Sequence, residues 1–414
     1  MRAFVEGYGC SLNRADTEQL KSFLLGRGFS LANRPGDAGL IVINTCAVKE
    51  QTETRMLKRI RELNAVAERK KSVLVVFGCL PKINPNAVSA ISPKIVQTGP
   101  SLEELASFLR LPLQGSLPVP AAARISDAIS IIPIATGCLG SCSYCAVKNA
   151  RGGLKSCPVN KLEKRFSSAV KEAPEVWLTA QDCGCYGLDI GTGLVGLLEA
   201  LLRNKGDFRV RIGMLNPGHL KSFLPEYLSL FSDERLYRFF HVPVQSGSDQ
   251  VLKRMNRNYT RADFLRIVKA IRKRFPLASV STDVIVGFPG ETERDFLETV
   301  SLLREAKPDV VNISRFGARP GTLAASMGGQ LHGRIKKARS RNLTVLCRKI
   351  ALERNRLLLG SEQRILVSEK GKGKTLVGRT QNYKPVAVRK GLFGKFAEVE
   401  IKKAFPTYVS PGGF

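Results

Sequence analysis

The chain has 414 residues, too long for one ordinary core, so two or three domains are expected. Hydrophobic residues make up 43 % and charged residues 24 %, ordinary for a globular protein, and no run of about 18 apolar residues is present, which excludes a bilayer-spanning helix. Lys and Arg number 65 against 35 Asp and Glu, a net charge of +30, which favours a polyanionic partner over a merely solvated basic surface. Half of that charge sits late: residues 331–414 hold 20 Lys/Arg and 5 Asp/Glu, a net +15. Residues 1–10 lack the apolar stretch of a signal peptide, so a cytoplasmic chain with no membrane partner is expected. Thiols stay reduced in that setting, and the spacing of the ten cysteines then points to metal or catalysis before disulfides.

Short apolar runs alternate with amphipathic stretches up to about residue 110. Residues 3–5, 40–44, 73–77 and 95–97 read as strands, and residues 16–26, 50–69 and 102–109 as helices, an alternation that predicts a parallel sheet covered by helices. Cys10, Cys46 and Cys79 each stand just past the C-terminal end of a predicted strand. In an open α/β sheet those ends converge on one crevice, the usual ligand site. Three buried core cysteines are the plainer alternative, but three at equivalent places favour an iron–sulfur site. Residues 112–123 (PLQGSLPVPAAA) read as a linker.

The alternation resumes with predicted strands at 131–135, 176–179, 210–214, 239–244, 279–286 and 310–314, six βα units that imply a full or partial barrel. Directly after the first of these comes GCLGSCSYC, in which Cys138, Cys142 and Cys145 form C-x3-C-x2-C. Three thiolates on one short loop suit three irons of a four-iron cluster and leave the fourth iron open to a small molecule. A structural zinc site would want a fourth Cys or His at similar spacing, and Cys157 lies in a different local context. A basic amphipathic stretch, 335–359, closes the region. After Gly360, short strands at 364–368, 375–378, 386–388 and 397–401 between Gly/Lys turns predict a small antiparallel barrel. The segment GKGKT (371–375) lacks the upstream glycine of a phosphate-binding loop and is not read as one.

These motifs together resemble the radical S-adenosylmethionine methylthiotransferases over nearly the whole chain. YGCSLNRADTE, NTCAVKEQTE and FGC look like the family's N-terminal domain, TGCLGSCSYCAVKNARGGLKS like its radical loop, and the segment with VGRTQNYKPV like its TRAM domain. The resemblance implies an α/β chain of three parts: an N-terminal open parallel-sheet methylthiotransferase domain (1–111), then past the linker a central partial (βα)6 radical S-adenosylmethionine barrel (124–354), and a small antiparallel β-barrel of the TRAM type (355–414). WLTAQDCGCYG, RIGMLNPGHL, HVPVQSGSDQVLKRMNR, STDVIVGFPGET and NISRFGARPGT are similar to the archaeal and eukaryotic branch, which acts on N6-threonylcarbamoyladenosine next to the tRNA anticodon. The cofactors implied are two [4Fe–4S] clusters and S-adenosylmethionine. One S-adenosylmethionine molecule methylates sulfur on the N-terminal cluster, and another gives the radical that takes hydrogen from C2 of the adenine. The partners implied are tRNA, a sulfur source and an electron donor such as ferredoxin or flavodoxin. Isopentenyladenosine in tRNA, or an aspartate of a ribosomal protein, is the competing substrate within the family, and a non-catalytic iron–sulfur RNA-binding protein is the competitor outside it.

The resemblance also assigns a cofactor shell to the barrel mouth. Thr179, Gln181 and Asp182 end the second strand, where such enzymes contact the amino group or ribose of S-adenosylmethionine. Gln245 and Ser246 end HVPV, Asp283, Gly287 and Gly290 lie on the stretch bordering the cofactor adenine, and Lys148 and Arg151 are expected to hold its carboxylate. Arg315 and Arg319 are read as phosphate or cofactor contacts. The six cysteines of the two triads are the expected metal ligands, and no acid–base residue is expected. His219, His241 and His332 share no ligand spacing, Cys183 and Cys185 read as extras, and Cys157 and Cys347 as inert. Lys370, Lys372, Lys374, Arg379, Lys384, Arg389 and Lys390 are expected to track an RNA backbone, with Tyr383, Phe393 and Phe396 as stacking candidates.

Overall fold

The computed structural model describes residues 1–48, 50–112, 123–389 and 393–412. The linker read at 112–123 lies outside the described residues except for its two ends, as does Lys390.

The chain begins with β1 (Arg2–Gly7), α1 (Ser11–Leu25), β2 (Ser30–Leu31), β3 (Leu40–Thr45), α2 (Glu50–Lys70), β4 (Val73–Gly78), α3 (Cys79–Ile83), α4 (Pro85–Ser89), β5 (Val96–Thr98) and α5 (Leu102–Phe108). The strands form one parallel sheet in the order β2-β1-β3-β4-β5. Central β3, LIVINT, is buried at all six positions, because helices cover both faces and leave no polar side to the strand. Helix α1 starts at Ser11, earlier than the expected residue 16, since Cys10 takes the extended N-cap conformation directly after the strand (φ −73°, ψ 176°). The short α3 opens on Cys79, and its Pro81 is tolerated because a first-turn residue needs no helical N–H partner.

The central region runs β6 (Ala123–Ser126), β7 (Ile129–Pro133), β8 (Ala135–Thr136), α6 (Val147–Arg151), β9 (Lys155–Ser156), α7 (Val159–Glu172), β10 (Glu175–Thr179), α8 (Leu194–Leu202), β11 (Arg209–Ile212), α9 (Pro217–Leu220), α10 (Leu224–Ser229), β12 (Phe239–His241), α11 (Asp249–Arg254), α12 (Arg261–Arg274), β13 (Ser279–Val286), α13 (Glu293–Ala306), β14 (Val310–Arg315), α14 (Leu323–Ser326) and α15 (Gly333–Arg356). Six strands, β7, β10, β11, β12, β13 and β14, run parallel in two ladders. The ladders meet through the parallel bridge Val210–Leu236 and the bond from Leu215 N to His241 O at 2.8 Å, giving the partial barrel. Strand β6 was not expected; it pairs antiparallel with β7 and carries α1 of the N-terminal region on its face. Helices α12 and α13 are each fixed at their start by a capping box, Thr260/Asp263 and Thr292/Asp295.

The last region holds β15 (Glu362–Lys370), β16 (Leu376–Arg379), β17 (Pro385–Val388), β18 (Phe396–Glu400), β19 (Lys403–Ala404) and β20 (Val409–Ser410), ordered β18-β15-β16-β17-β20-β19. All pairs are antiparallel except β17 with β20. This curled sheet is bolted to the barrel by buried polar groups. Lys384 Nζ donates to Asp309 Oδ1 and Asn355 Oδ1, both at 2.7 Å, Ser368 Oγ donates to Glu175 at 2.5 Å, and Tyr383 packs on Tyr237 and Phe239.

Candidate functional site

The ladder register puts Gly7 beside Asn44 and Thr45 beside Gly78, so the loops carrying Cys10, Cys46 and Cys79 leave three adjacent strand ends. Gly78 has φ 105°, and a Cβ there would lie 2.5 Å from Asn44 Oδ1 and 2.6 Å from Thr45 O; only glycine can bring the Cys79 loop this close. Asn13 ties the loops together by donating to Tyr8 O and Thr45 O at 3.0 Å, while Asn44 Nδ2 donates to Asn13 O at 2.8 Å. Cys46 and Cys79 are buried and Cys10 is exposed. Burial pushes the thiol of Cys79 up to about 11, against the pull of Arg151, and raises that of Cys46. Such thiols keep their protons until a metal displaces them.

Arg151 was expected at the S-adenosylmethionine carboxylate. It sits instead at this first triad: its side chain is 3 % exposed, it pairs with Asp16 on α1, donates to Asn13 Oδ1 at 2.8 Å and faces the Cys79 thiol. The reason is the direction of α6, which leads away from the radical loop into the N-terminal region, where a buried Asp16 needs a cation. Thr179, at the end of β10, likewise faces Ser11, with the two hydroxyls 2.7 Å apart. Neither Asp16 nor Asn13 was singled out by sequence; both are polar positions on the buried face of α1, a signal that was available.

The second triad lies in a loop flanked by the small hairpin β8–β9. Gly137, at φ 72°, starts the loop, and a Cβ there would strike Gly153 O at 1.8 Å. Several hydrogen bonds fix it from outside: Ser143 N to Met255 O at 3.1 Å, Ser143 Oγ to Arg254 O at 2.9 Å and Asn256 Nδ2 to Ser141 O at 2.8 Å. Donors also point at the sulfurs. Gly140 N–H lies 3.2 Å from Cys138 Sγ and Arg257 Nη1 3.0 Å from Cys142 Sγ. Cys185, read as an extra, comes within 4.8 Å of Cys138 Sγ together with the Asp182 carboxylate. Its thiol donates to Asp182 O at 3.3 Å, and the sulfur beside Cys138, together with the Gly140 N–H, holds the Cys138 thiol below its ordinary range. Three thiols, N–H donors aimed at two of them and an open side make a donor set that fits a cluster with one free iron.

Around the mouth the expected residues divide. Asp182 is buried and saturated: Oδ1 accepts from Gly184 N at 2.8 Å and Asn216 N at 3.1 Å, and Oδ2 from His219 Nδ1 at 2.7 Å. That bond raises the His219 pKa against the opposing effect of burial. Gln181 Oε1 is buried with no hydrogen-bond partner, free to receive a ligand donor. Gln245 holds a left-handed backbone (φ 69°) and lines the main cavity, as does Asp283, which accepts from Asn312 Nδ2 at 2.7 Å and meets His241 Nε2 at 3.1 Å. Lys148 is exposed on α6. Two expectations fail on packing. Ser246 is fully buried and accepts from Ser248 N, with its hydroxyl 3.4 Å from that of Thr299, so it faces α13 and not the mouth. Gly287 donates to Glu291 at 2.6 Å and lies under the Lys336 stem of α15.

The main cavity, about 1030 Å³, is lined by Val48 and the start of α2 (Glu50, Gln51, Thr54), by Tyr144–Val147, by Gln245, Asp283 and Ile285, by β14 with its following loop, and by α15. It therefore touches Cys145 on one side and the segment directly after Cys46 on another. The Arg315 side chain lines it with no hydrogen bond or ion pair among the described residues, whereas Arg319 is buried in a pair with Glu53 of α2.

The expected RNA-tracking residues also divide. Lys370, Lys372, Lys374 and Arg389 are exposed. Lys384 is buried against Asp309 and Asn355, and Arg379 is held by Glu369 (Nε to Oε1, 2.8 Å) and stacked on Tyr383, so neither reaches a phosphate. Tyr383 is buried with them; Phe396 is covered by Arg209 and Arg364.

Residues 132–303 match the radical SAM superfamily, residues 2–98 the uncharacterized protein family UPF0004 and residues 356–410 the TRAM domain. A Pyrococcus horikoshii protein named probable threonylcarbamoyladenosine tRNA methylthiotransferase is 39 % identical, over 99 % of this chain and 98 % of its own. The Homo sapiens threonylcarbamoyladenosine tRNA methylthiotransferase is 36 % identical, over 97 % of this chain and 72 % of its own. Among solved structures, the radical S-adenosylmethionine methyltransferase TsrM from Kitasatospora setae, with cobalamin and a [4Fe–4S] cluster bound, superposes with a TM-score of 0.59. It shares 16 % identity, covering 78 % of this chain and 77 % of its own, and that likeness concerns the fold.

Proposed function

The chain belongs to the threonylcarbamoyladenosine tRNA methylthiotransferases of the radical SAM superfamily, and from that membership we propose how its residues divide the work. It carries the family's activity: conversion of N6-threonylcarbamoyladenosine in tRNA to the 2-methylthio derivative, with two [4Fe–4S] clusters and S-adenosylmethionine as cofactors. When bound, these groups supply a sulfur carrier and a source of the radical needed to functionalise an unactivated aromatic C–H bond; the protein positions and shields.

Cys138, Cys142 and Cys145 hold the radical cluster, with Arg257 and the Gly140 N–H stabilising its thiolates. Cys10, Cys46 and Cys79 hold the second cluster, with Arg151 as the neighbouring cation. Gln181, Gln245 and Asp283 offer polar atoms to S-adenosylmethionine, Lys148 supplies a cation at the loop, and Asp182 with His219 braces the strand ends that present them. Exposed Lys370, Lys372, Lys374 and Arg389 contact the tRNA backbone. Residues 1–111, 124–354 and 355–414 act as the sulfur-carrying, radical and RNA-holding units. A sulfur source and an electron donor such as ferredoxin or flavodoxin complete the reaction. Among the described residues no helix is long and apolar enough to cross a membrane, and the site of action is the cytoplasm, where tRNA is found.

The observation that carries this reading is the single cavity lined both by Cys145 and by the residues following Cys46, since sulfur carrier and radical source must reach one substrate carbon. The experiment is anaerobic incubation of the reconstituted protein with S-adenosylmethionine, reductant and tRNA, followed by mass spectrometry of the nucleosides. The methylthio derivative of threonylcarbamoyladenosine is expected. Product only on isopentenyladenosine, or none beside intact cofactor cleavage, would overturn the substrate assignment.

A further inference from the structure

We propose that Arg315, Lys337 and Arg341 form the pocket for the carboxylate of the threonylcarbamoyl group, and so select the substrate nucleotide. The proposal rests on the activity above and adds its specificity determinants.

The three side chains share one wall of the main cavity, where α15 packs on β14. Lys337 and Arg341 are spaced i, i+4 on α15 and point to the same face, as do Gly333 and Ser340 along that lining. Arg315 ends β14 beside them. Other cations at this cavity are already engaged. Arg319 is buried against Glu53, and Lys336 Nζ donates to Phe316 O at 3.0 Å while its stem covers Gly287. The side chains of Arg315, Lys337 and Arg341 have no hydrogen bond, ion pair or ring contact among the described residues. Of the acidic groups at the cavity, Asp283 is held by His241 and Asn312, which leaves Glu50 on the α2 side. The lining thus carries five basic residues (Arg315, Arg319, Lys336, Lys337 and Arg341) against two acidic ones (Glu50 and Asp283), with three cations unspent on one side.

The substrate supplies the missing anion. A threonylcarbamoyl substituent ends in a carboxylate next to a hydroxyl, and it projects from the adenine edge near the carbon to be modified. A planar guanidinium meets a carboxylate through two parallel N–H bonds, and a lysine adds a mobile point charge. An apolar substituent of similar size would leave the cations unpaired in a partly closed space, which is how a polar site rejects an apolar analogue. The phosphate backbone of tRNA is the other anion within reach, and the test separates the two.

Affinity is measured with the full-length protein for three otherwise identical tRNAs, bearing threonylcarbamoyladenosine, its neutral methyl ester, or unsubstituted adenosine. The wild type should bind the acid about tenfold or more tightly than the ester. Arg315→Gln, and Lys337→Gln with Arg341→Gln, should bring the acid down to the level of the ester without moving the ester or the unsubstituted tRNA. Arg315→Lys should retain part of the preference. All three positions are exposed, so the variants should fold as the wild type does. Equal wild-type affinity for acid and ester overturns the proposal. So does a parallel loss for all three tRNAs with a flatter salt dependence, which would assign the cations to phosphate. Wild-type methylthio product alongside either of these results would leave the activity standing and remove only this pocket; absence of product would remove the activity.

Discussion

The two cysteine triads are built in opposite ways. Cys138, Cys142 and Cys145 come from one eight-residue loop, and that loop is clamped from outside by Met255, Asn256, Arg257 and Ala324. Cys10, Cys46 and Cys79 come from three strand ends that only the sheet brings together, and two of the three are buried. A local loop keeps an open side for a small molecule. A triad assembled from distant strands has no local loop to define it, and its geometry depends on the whole domain.

Removing each triad breaks the comparison most completely. About eight irons per chain are expected after anaerobic reconstitution, and about four should remain when Cys10, Cys46 and Cys79, or Cys138, Cys142 and Cys145, are changed to Ala. Both variants should lose methylthio product entirely. Only the first should still yield 5′-deoxyadenosine from S-adenosylmethionine. Iron analysis and product chromatography read this out, and full product from the first variant would remove the sulfur-carrying role.

Arg151→Met comes next. It leaves Asp16 buried without its cation, a cost of about 3–5 kcal/mol in chemical denaturation, and should reduce iron at the first triad before the second. Arg257→Met is its counterpart. It removes a hydrogen bond to the Cys142 thiolate, so the reduction potential of the radical cluster should fall while the other cluster is unchanged, measured by spectroscopic redox titration. Equal effects of both variants on both clusters would show that the triads are not separately supported.

A smaller effect is expected from pH. His219 is held above its ordinary 6.5 by the Asp182 carboxylate. A raised folded-state pKa gives stability that is fully present below 6.5 and lost as pH rises through the folded value. The Tm difference between wild type and His219→Gln should therefore be largest in acid and shrink toward alkaline pH. A constant difference would show that the pair does not titrate.

The least change is expected at the exposed lysines proposed to contact tRNA. Changing Lys370, Lys372 and Lys374 to Gln should weaken tRNA binding modestly. The slope of log affinity against log salt should fall by about 0.7–0.9 for each phosphate no longer neutralised, with both clusters intact. Deleting the whole C-terminal sheet is a poorer test, because it would strip Lys384 and Ser368 from buried Asp309 and Glu175.

The radical triad was legible because its spacing is itself the site. The first triad was legible only through the equivalence of three strand ends, and the ladder places those ends side by side. What sequence could not give is the direction of a side chain after a turn. Arg151 follows the radical loop yet faces the other domain, and Ser246 follows barrel strand β12 yet faces α13. The charge pattern likewise could not separate lysines on the C-terminal surface from Lys384 inside it, because Lys384 stands in the turn before β17, where no alternation says which side meets the barrel. Cys185 reaches Cys138 through a turn after β10 that no spacing rule predicts.

The contacts of Arg151 with Asp16 and Asn13, and of Thr179 with Ser11, bear on how such chains can be recombined. The linker looks like a seam where one N-terminal region could be exchanged for another. The structural seam lies elsewhere, across α1, β10 and α6, where residues from both sides of the linker share one polar layer. A chimera cut between residues 111 and 124 would bring a foreign α1 against the native Arg151 and Thr179. Ser11, Asn13, Asp16, Arg151 and Thr179 therefore have to be inherited as a set, although 168 positions separate Ser11 from Thr179.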